Sequence, residues 1–286
     1  MRRSPPQRLA DYLPIAFPAG MLGLFFVIPF GIMVAISVFK RVQGGFYEPS
    51  FTLANYARFL TPFFGEVLSF SLGLAALVSA LCLLIGVPFT YMLTRLGRRA
   101  QVFWLIALLG VLSLSEVIIG FAWSTLLSRT AGLSNLFVWL GLMEKPEAWA
   151  PGLGAVLTGL VYQAFPYTVL VLYPAFSRLD PSLMEAARTL GCSPRRAFLN
   201  VVLPVMRKTL LATFIIVFIF ALGAYLLPQI LGRPQHWTLS VLVTDQAIYQ
   251  SNMPFAAAMA VFLVIASLLL VGLSVLISGR KGIGEQ

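Results

Sequence analysis

An all-α integral membrane fold with six transmembrane helices is the class that this sequence predicts, on three observations. Apolar residues make up 59% of the chain and charged residues only 10%, whereas soluble domains carry about 25% charge. Six apolar stretches are each long enough to cross a hydrocarbon core of about 30 Å. The basic residues gather in alternate loops, as in membrane proteins whose orientation is set by positive charge.

The spans fall near residues 12–39, 66–93, 101–127, 151–177, 207–232 and 254–278 of a single transmembrane domain, 1–286. The first is a span and not a cleavable signal, because its apolar run is too long and no small-x-small site follows it. The second carries Gly73, Ala75 and Ala76, small residues that favour close helix packing. The third holds Glu116, the one acidic residue well inside a span. A charge there costs ~3 kcal/mol on insertion scales, so it should face a cavity, a partner or a water path. Two readings stand: a cation-binding carboxylate on a translocation path, or a protonated or hydrogen-bonded residue at an interface with a partner subunit.

The fourth span presents Tyr162, Gln163, Pro166, Tyr167 and Tyr173. Helical spacing puts them on adjoining faces, either as a polar path or as packing and interface anchors. In the fifth, Gly223, Ala224, Tyr225 and Pro228 mark a bend that serves as a gate or fits a neighbour. The sixth opens with Ala256, Ala257, Ala258 and Ala260, suited to close packing within the chain or between subunits.

Arg2, Arg3, Arg8, Arg95, Arg98, Arg99, Arg178, Arg188, Arg195, Arg196, Arg207, Lys208, Arg280 and Lys281 lie on one side of this layout. Lys40, Arg41, Arg58, Arg129, Lys145 and Arg233 lie on the other. That asymmetry puts both termini and the 178–206 loop in the cytoplasm. The outer loops, 40–65, 128–150 and 233–253, are rich in Gly, Pro and aromatics. A short interfacial helix is expected at 133–142, with Trp139 and Trp149 at headgroup level. These loops form a docking surface or serve as connectors.

Several functions are excluded. The net charge of +10 reports orientation and does not imply nucleic acid. Cys82 and Cys192 lie at different depths, so no mutual disulfide is expected, and His236 has no ligand partner for a metal. No catalytic constellation of paired carboxylates or nucleophile and base occurs. No Gly-x-x-x-x-Gly-Lys-Ser/Thr sequence cradles ATP, and Gly279-Arg280-Lys281-Gly282 is a lone basic tail. ATP-driven transport would therefore need an ATPase in another chain or domain. No internal repeat speaks for an inverted-repeat transporter, although an ion-coupled secondary transporter using Glu116 remains an alternative.

The most informative stretch is the polar island from Asp180 to Pro204. Asp180-Pro181 is an N-cap with proline at the first helical position, Gly191 suits a left-handed stop, and Ser193-Pro194 restarts the chain as a helix. Pro204 ends the second helix or bends it into the fifth span. Glu185 lies in the early turns of the first helix, where a carboxylate favours the helix dipole, and Ala186 and Ala187 permit close approach of a partner. Arg195 and Arg196 oppose the dipole near the start of the second helix. They answer acidic partner groups or anionic lipid, or serve only to hold the loop inside.

Glu185-Ala186-Ala187, then Gly191, then Val202-Leu203-Pro204 resembles the EAA signature of bacterial ABC importer permeases, and the six-span layout is similar to that of type I importer permeases. The resemblance implies that Glu185, Ala186, Ala187, Gly191, Arg195, Leu203 and Pro204 couple to a cytoplasmic ATPase. It implies an inner-membrane location, a second permease subunit of different sequence, two ATPase subunits that bind ATP and Mg, an external or periplasmic solute-binding protein, and surrounding lipid. The chain itself would hold no cofactor or metal and would perform no bond chemistry. A finer resemblance, to the spermidine/putrescine branch and its relatives for iron, amino-acid-like and other small polar solutes, rests on three stretches: 51–56 (Phe-Thr-Leu-Ala-Asn-Tyr), 227–232 (Leu-Pro-Gln-Ile-Leu-Gly) and 252–258 (Asn-Met-Pro-Phe-Ala-Ala-Ala). Polyamine permeases often carry Arg-Thr-Tyr late in the third span. Here residues 115–123 read Ser-Glu-Val-Ile-Ile-Gly-Phe-Ala-Trp, and only the Ala-Trp end matches. Glu116, Trp123, Tyr162, Gln163, Tyr167 and Tyr225 are the candidate substrate-path residues.

Overall fold

The computed structural model describes residues 13–42 and 45–279. Arg2, Arg3, Arg8, Arg280 and Lys281, five of the charges counted for orientation, lie outside the described residues, as does the start of the first expected span. The described residues are mainly helical, with an isolated bridge between Lys40 and Glu48 as extended pairing. The chain divides into two units, 1–61 with 243–264 and 62–242 with 265–286.

In the first unit, residues 13–37 form α1, in which Leu13–Leu22 and Ile28–Ser37 are joined by a π-turn at Gly23–Val27. The turn closes with Ile28 N–H donating to Gly23 O, one residue before Pro29. A proline inside a helix has no N–H to donate and crowds the carbonyl four residues back, so a widened turn just before it keeps the rod continuous. Phe17, Phe25 and Phe26 are all more than half exposed, an apolar surface suited to lipid or a membrane partner. The last carbonyls of α1 would lack partners. Asn55 Nδ2 donates to Ser37 O and Phe39 O, both at 2.9 Å, and the Tyr56 and Ser37 hydroxyls pair at 2.7 Å. Phe59 packs on Phe255 and Phe262 at 5.7 and 5.2 Å, with the Arg58 guanidinium 4.5 Å above the Phe255 ring. Ala256, Ala257 and Ala258 are buried, so those small residues pack within this chain.

The second unit is built from α2 (Pro62–Leu93), α3 (Arg98–Leu112), α4 (Glu116–Leu126), α5 (Leu133–Trp139), α6 (Leu153–Ser177), α7 (Pro181–Thr189), α8 (Pro194–Gly223) and α9 (Leu226–Leu231). Its centre is the packing of α2, α6 and α8 on one another. Val78 and Cys82 on α2, Val156, Leu160, Val169 and Leu172 on α6 and Val217 on α8 are wholly buried. The close-approach residue of α2 is Gly86, where a Cβ would come within 2.8 Å of Thr168 Cγ2, while Gly73 has open space around it. With lipid as apolar as the side chains, such contacts and satisfied polar groups hold membrane helices together. The Ser79, Thr90 and Thr168 hydroxyls accordingly bond the carbonyls four residues back, at 2.7, 2.6 and 3.0 Å.

Five stretches are long and apolar enough to cross a membrane alone: 17–37, Pro62–Leu93, Leu153–Ser177, Pro194–Gly223 and Met253–Gly272. The last belongs to a final helix, Met253–Gly279. The third expected span is not one helix: α3 and α4 meet at 95° and make a sixth span only if the bent pair counts as one. The serines between them satisfy backbone groups at the break. Ser113 Oγ bonds Leu109 O at 3.0 Å, and Ser115 Oγ accepts from Val117 N–H as the N-cap of α4.

The fifth expected span also differs. α8 begins at Pro194 and runs through a π-turn at Phe198–Val202, so Pro204 neither ends nor separates the helix. Leu203 N–H reaches back to Phe198 O, the same widened turn before a proline as in α1. α8 then stops at Gly223, where Ala224 turns extended (φ −65°, ψ 128°). The expected bend is thus a full break. Ser240 Oγ donates to Leu222 O at 2.6 Å and Thr238 Oγ1 to Ala224 O at 3.4 Å, satisfying carbonyls that the break exposes.

Candidate functional site

The loop after α6 is ordered by its caps. Asp180 accepts from Ser182 N–H at 2.9 Å and Pro181 opens α7. The Ser182 backbone amide, and then its hydroxyl, hold the Asp180 carboxyl below the usual carboxylate range. The helix ends in a Schellman pair, Cys192 N–H to Ala187 O at 3.1 Å and Gly191 N–H to Arg188 O at 3.0 Å. Gly191 stands at φ +84°, a conformation glycine adopts without the penalty of a Cβ. Ser193 then caps α8 through Arg196 N–H at 3.4 Å, with Pro194 as the first helical residue.

The loop sits on the helix core through its apolar inner face. Leu179, Met184, Phe198 and Leu203 pack on Val87, Leu172, Phe176, Val202 and Met206, and the Phe198 ring lies 4.9 Å from Tyr91. Glu185, Ala186, Arg188, Gly191, Arg195, Arg196 and Pro204 are exposed on the other side. Three expectations change. Glu185 is the fifth residue of α7, beyond the first turn where the dipole acts, and the cap is Asp180. Ala187 is buried, so of the two alanines only Ala186 is open to a partner. Leu203 is half-buried in the core cluster and seats the loop from within. Leu190, 86% exposed at the corner, was missed from the sequence. Its signal was an apolar residue next to a left-handed glycine in an otherwise polar island.

A second polar feature lies between α4 and α6. Glu116 is the first residue of α4 and half-buried, not the middle of a continuous span. Its Oε1 accepts from Gln163 Nε2 at 2.8 Å. Gln163 is only 8% exposed, and its own Oε1 is buried with no hydrogen-bond partner among the described residues. Trp123 and Tyr162 join the same two helices edge to face at 5.6 Å. Glu116, Gln163, Trp123 and Tyr162 thus share one seam.

The other path candidates do not join this seam by hydrogen bond or ring contact among the described residues. The Tyr167 ring packs tilted against Phe220 at 4.9 Å, and Tyr225 is exposed at the α8–α9 break. Tyr173 donates to Gln101 Oε1 at 2.6 Å and ties α6 to the start of α3. Among the described residues no group of His, Cys, Asp and Glu could hold a metal ion, and Cys82 and Cys192 are free thiols.

A bundle of long apolar helices, a capped polar loop and a carboxylate at a helix break define a polytopic membrane transport subunit. The chain belongs to the family of binding-protein-dependent transport system inner membrane components, matched over residues 28–281, and is the permease subunit of an ABC importer. It is similar to the spermidine/putrescine transport system permease protein PotB of Salmonella typhimurium (strain SL1344), 30% identical over 261 residues that cover 91% of this chain and 90% of that protein. PotB of Escherichia coli (strain K12) is 30% identical over 246 residues, 86% and 90% of the two chains. The inner membrane ABC transporter permease protein YdcU of the same organism is 28% identical over 264 residues, 83% and 84%. Among solved structures, a bacterial ABC transporter involved in the import of the acidic polysaccharide alginate superposes with a TM-score of 0.72 over 96% of this chain and 95% of that one, at 18% identity. That likeness shows the fold.

Proposed function

We propose that this permease carries a small organic cation of the polyamine class, with Glu116 as the carboxylate that meets it in the membrane. The observation that supports the cation is the α4–α6 seam. Its two acceptor groups, the Glu116 carboxylate and the unpartnered Gln163 Oε1, suit an ammonium that donates several hydrogen bonds. The edge-to-face pair of Trp123 and Tyr162 adds aromatic surface for its alkyl chain and charge. The similarity to PotB proteins supports the same solute class.

In this reading α3 and α4 together cross the membrane once, and the basic residues place both termini and the 178–206 loop in the cytoplasm. A second permease of different sequence completes the path, an external binding protein delivers the solute, and two ATPase subunits grip the 180–204 loop. Glu185, Ala186, Leu190 and Arg195 face the ATPase, while Asp180, Gly191 and Ser193 hold the corner rigid. ATP and Mg bind to the ATPases. Their closure moves the loop, and because the loop is packed on α2, α6 and α8 that motion reaches the helices lining the path.

The test of the solute assignment is Glu116→Gln in the assembled importer, assayed by uptake of labelled putrescine. The variant keeps an acceptor for Gln163 but loses the charge. Uptake is expected to fall about tenfold or more, the worth of a hydrogen bond to a charged group, with ATP hydrolysis stimulated by the binding protein retained. Unchanged uptake overturns the assignment.

A further inference from the structure

A cleft of about 330 Å³ opens where α2 begins and shares no residue with the α4–α6 seam. Phe63, Glu66, Val67 and Phe70 of α2 line one wall, and Gln235 and Trp237 stand opposite. Its composition is unusual for this chain, which carries twenty basic residues against ten acidic. A carboxylate here stands among three aromatic side chains, and among the described residues no arginine or lysine lines the cleft. The Glu66 side chain makes no hydrogen bond or ion pair among the described residues; the Ser69 hydroxyl bonds the Glu66 backbone carbonyl instead. The Phe70 ring is held by His236, stacked at 6.3 Å. The His236 ring in turn accepts from Arg233 N–H through Nδ1 at 3.4 Å, and the Arg233 guanidinium is turned away onto Pro151 O at 3.0 Å.

We infer that this cleft is a subsite for an alkylammonium group, held by the Glu66 carboxylate with its alkyl chain against Phe63, Phe70 and Trp237. A carboxylate supplies the counter-charge and strong acceptors for an ammonium. Aromatic faces attract the same cation and shield the methylenes that carry it. The Gln235 amide adds a neutral acceptor at the rim. The cleft is open and formed by side chains already in place, so a solute can enter it before it reaches the membrane interior. In the orientation proposed above this end of α2 faces outward. The cleft then receives a cation released by the binding protein and precedes Glu116 on its route. The ammonium chemistry rests on the cleft alone; only this place on the route rests on the proposed function.

Trp237 provides the reporter. Putrescine, a linear alkyl diamine, is titrated at low ionic strength into the purified full-length chain in neutral detergent, with tryptophan emission as the signal. A saturable change is expected, absent with the corresponding linear diol and largely lost in Trp237→Phe. Glu66→Gln is expected to move the midpoint about tenfold or more to weaker binding, and Glu147→Gln, which removes an exposed carboxylate outside both the cleft and the α4–α6 seam, to leave it nearly unchanged. No saturable change in the wild-type chain, an equal response to the diol, or equal midpoints for wild type and Glu66→Gln each overturn the subsite. So does a Glu147→Gln shift as large as that of Glu66→Gln. Putrescine binding that follows this pattern in a complex that fails to transport putrescine leaves the subsite standing and removes the substrate assignment instead.

Discussion

Replacing Gly191 by alanine isolates the corner between α7 and α8. The residue stands at φ +84°, and a Cβ built there meets no atom within 4 Å, so no clash contributes. The cost is then the backbone penalty of the left-handed region for an L-residue, roughly 1–2 kcal/mol. If the alanine relaxes to a right-handed conformation, the bonds from Gly191 and Cys192 N–H at 3.0 and 3.1 Å are lost instead. Either way the ordered corner should lose a factor of roughly 5–30 in its equilibrium with opened states. Hydrogen exchange of the peptide spanning this corner, measured on the purified chain, is expected to accelerate by that factor, with the α2 and α6 core unchanged. Gly191→Asn should cost less, because asparagine visits the left-handed region more readily. Unaltered exchange in Gly191→Ala, or an equal effect of alanine and asparagine, would refute the argument.

The remaining predictions concern burial and backbone fit. At Gly132 a Cβ would overlap Ser128 O and lie 2.6 Å from Leu126 O, both backbone atoms, whereas at Gly97 it meets nothing within 4 Å. Gly132→Ala should therefore destabilise by about 1–3 kcal/mol or more in a thermal melt, and Gly97→Ala should be near neutral. Ser240→Ala removes the hydroxyl that donates to Leu222 O at 2.6 Å and should cost about 1–3 kcal/mol by leaving a carbonyl at the α8 break unmet; a melt that matches wild type would show that the break needs no such donor. Cys192 is half-buried and Cys82 wholly buried, so maleimide should label the folded chain at Cys192 and reach Cys82 only on denaturation.

Legibility from sequence divides along a physical line. The caps at Asp180 and Ser193 and the corner at Gly191 were legible because each is a local device whose residue type follows from the backbone it serves. Of the short helix expected at 133–142, Leu133–Trp139 is helical, as α5. The break between α3 and α4 was not legible. Serine is tolerated inside membrane helices, and Ser79 does on α2 what Ser113 does at the end of α3, bonding the carbonyl four residues back. Tertiary packing decides which serine ends a helix. The passage of α8 through Pro204 was not legible either, because a π-turn accommodates the proline, a register change that leaves no mark in hydropathy. The pairing of Glu116 with Gln163 joins residues 47 apart in sequence. It depends on how α4 packs on α6, so each residue could be nominated singly but not the contact. The aromatic fourth span shows the same limit: Tyr162, Tyr167 and Tyr173 look alike in sequence, yet one joins the polar seam, one packs against Phe220 and one binds Gln101.

The central claim is that ATP drives transport through the 180–204 loop. Its most direct measurement tracks ATP hydrolysis and solute uptake together in proteoliposomes carrying the whole importer, with the loop altered by Glu185→Ala and Gly191→Ala in one chain. The expected result is a folded, assembled complex in which hydrolysis continues while uptake per ATP falls about tenfold or more, the loop no longer transmitting closure of the ATPases. Wild-type uptake per ATP in that double variant would contradict the account.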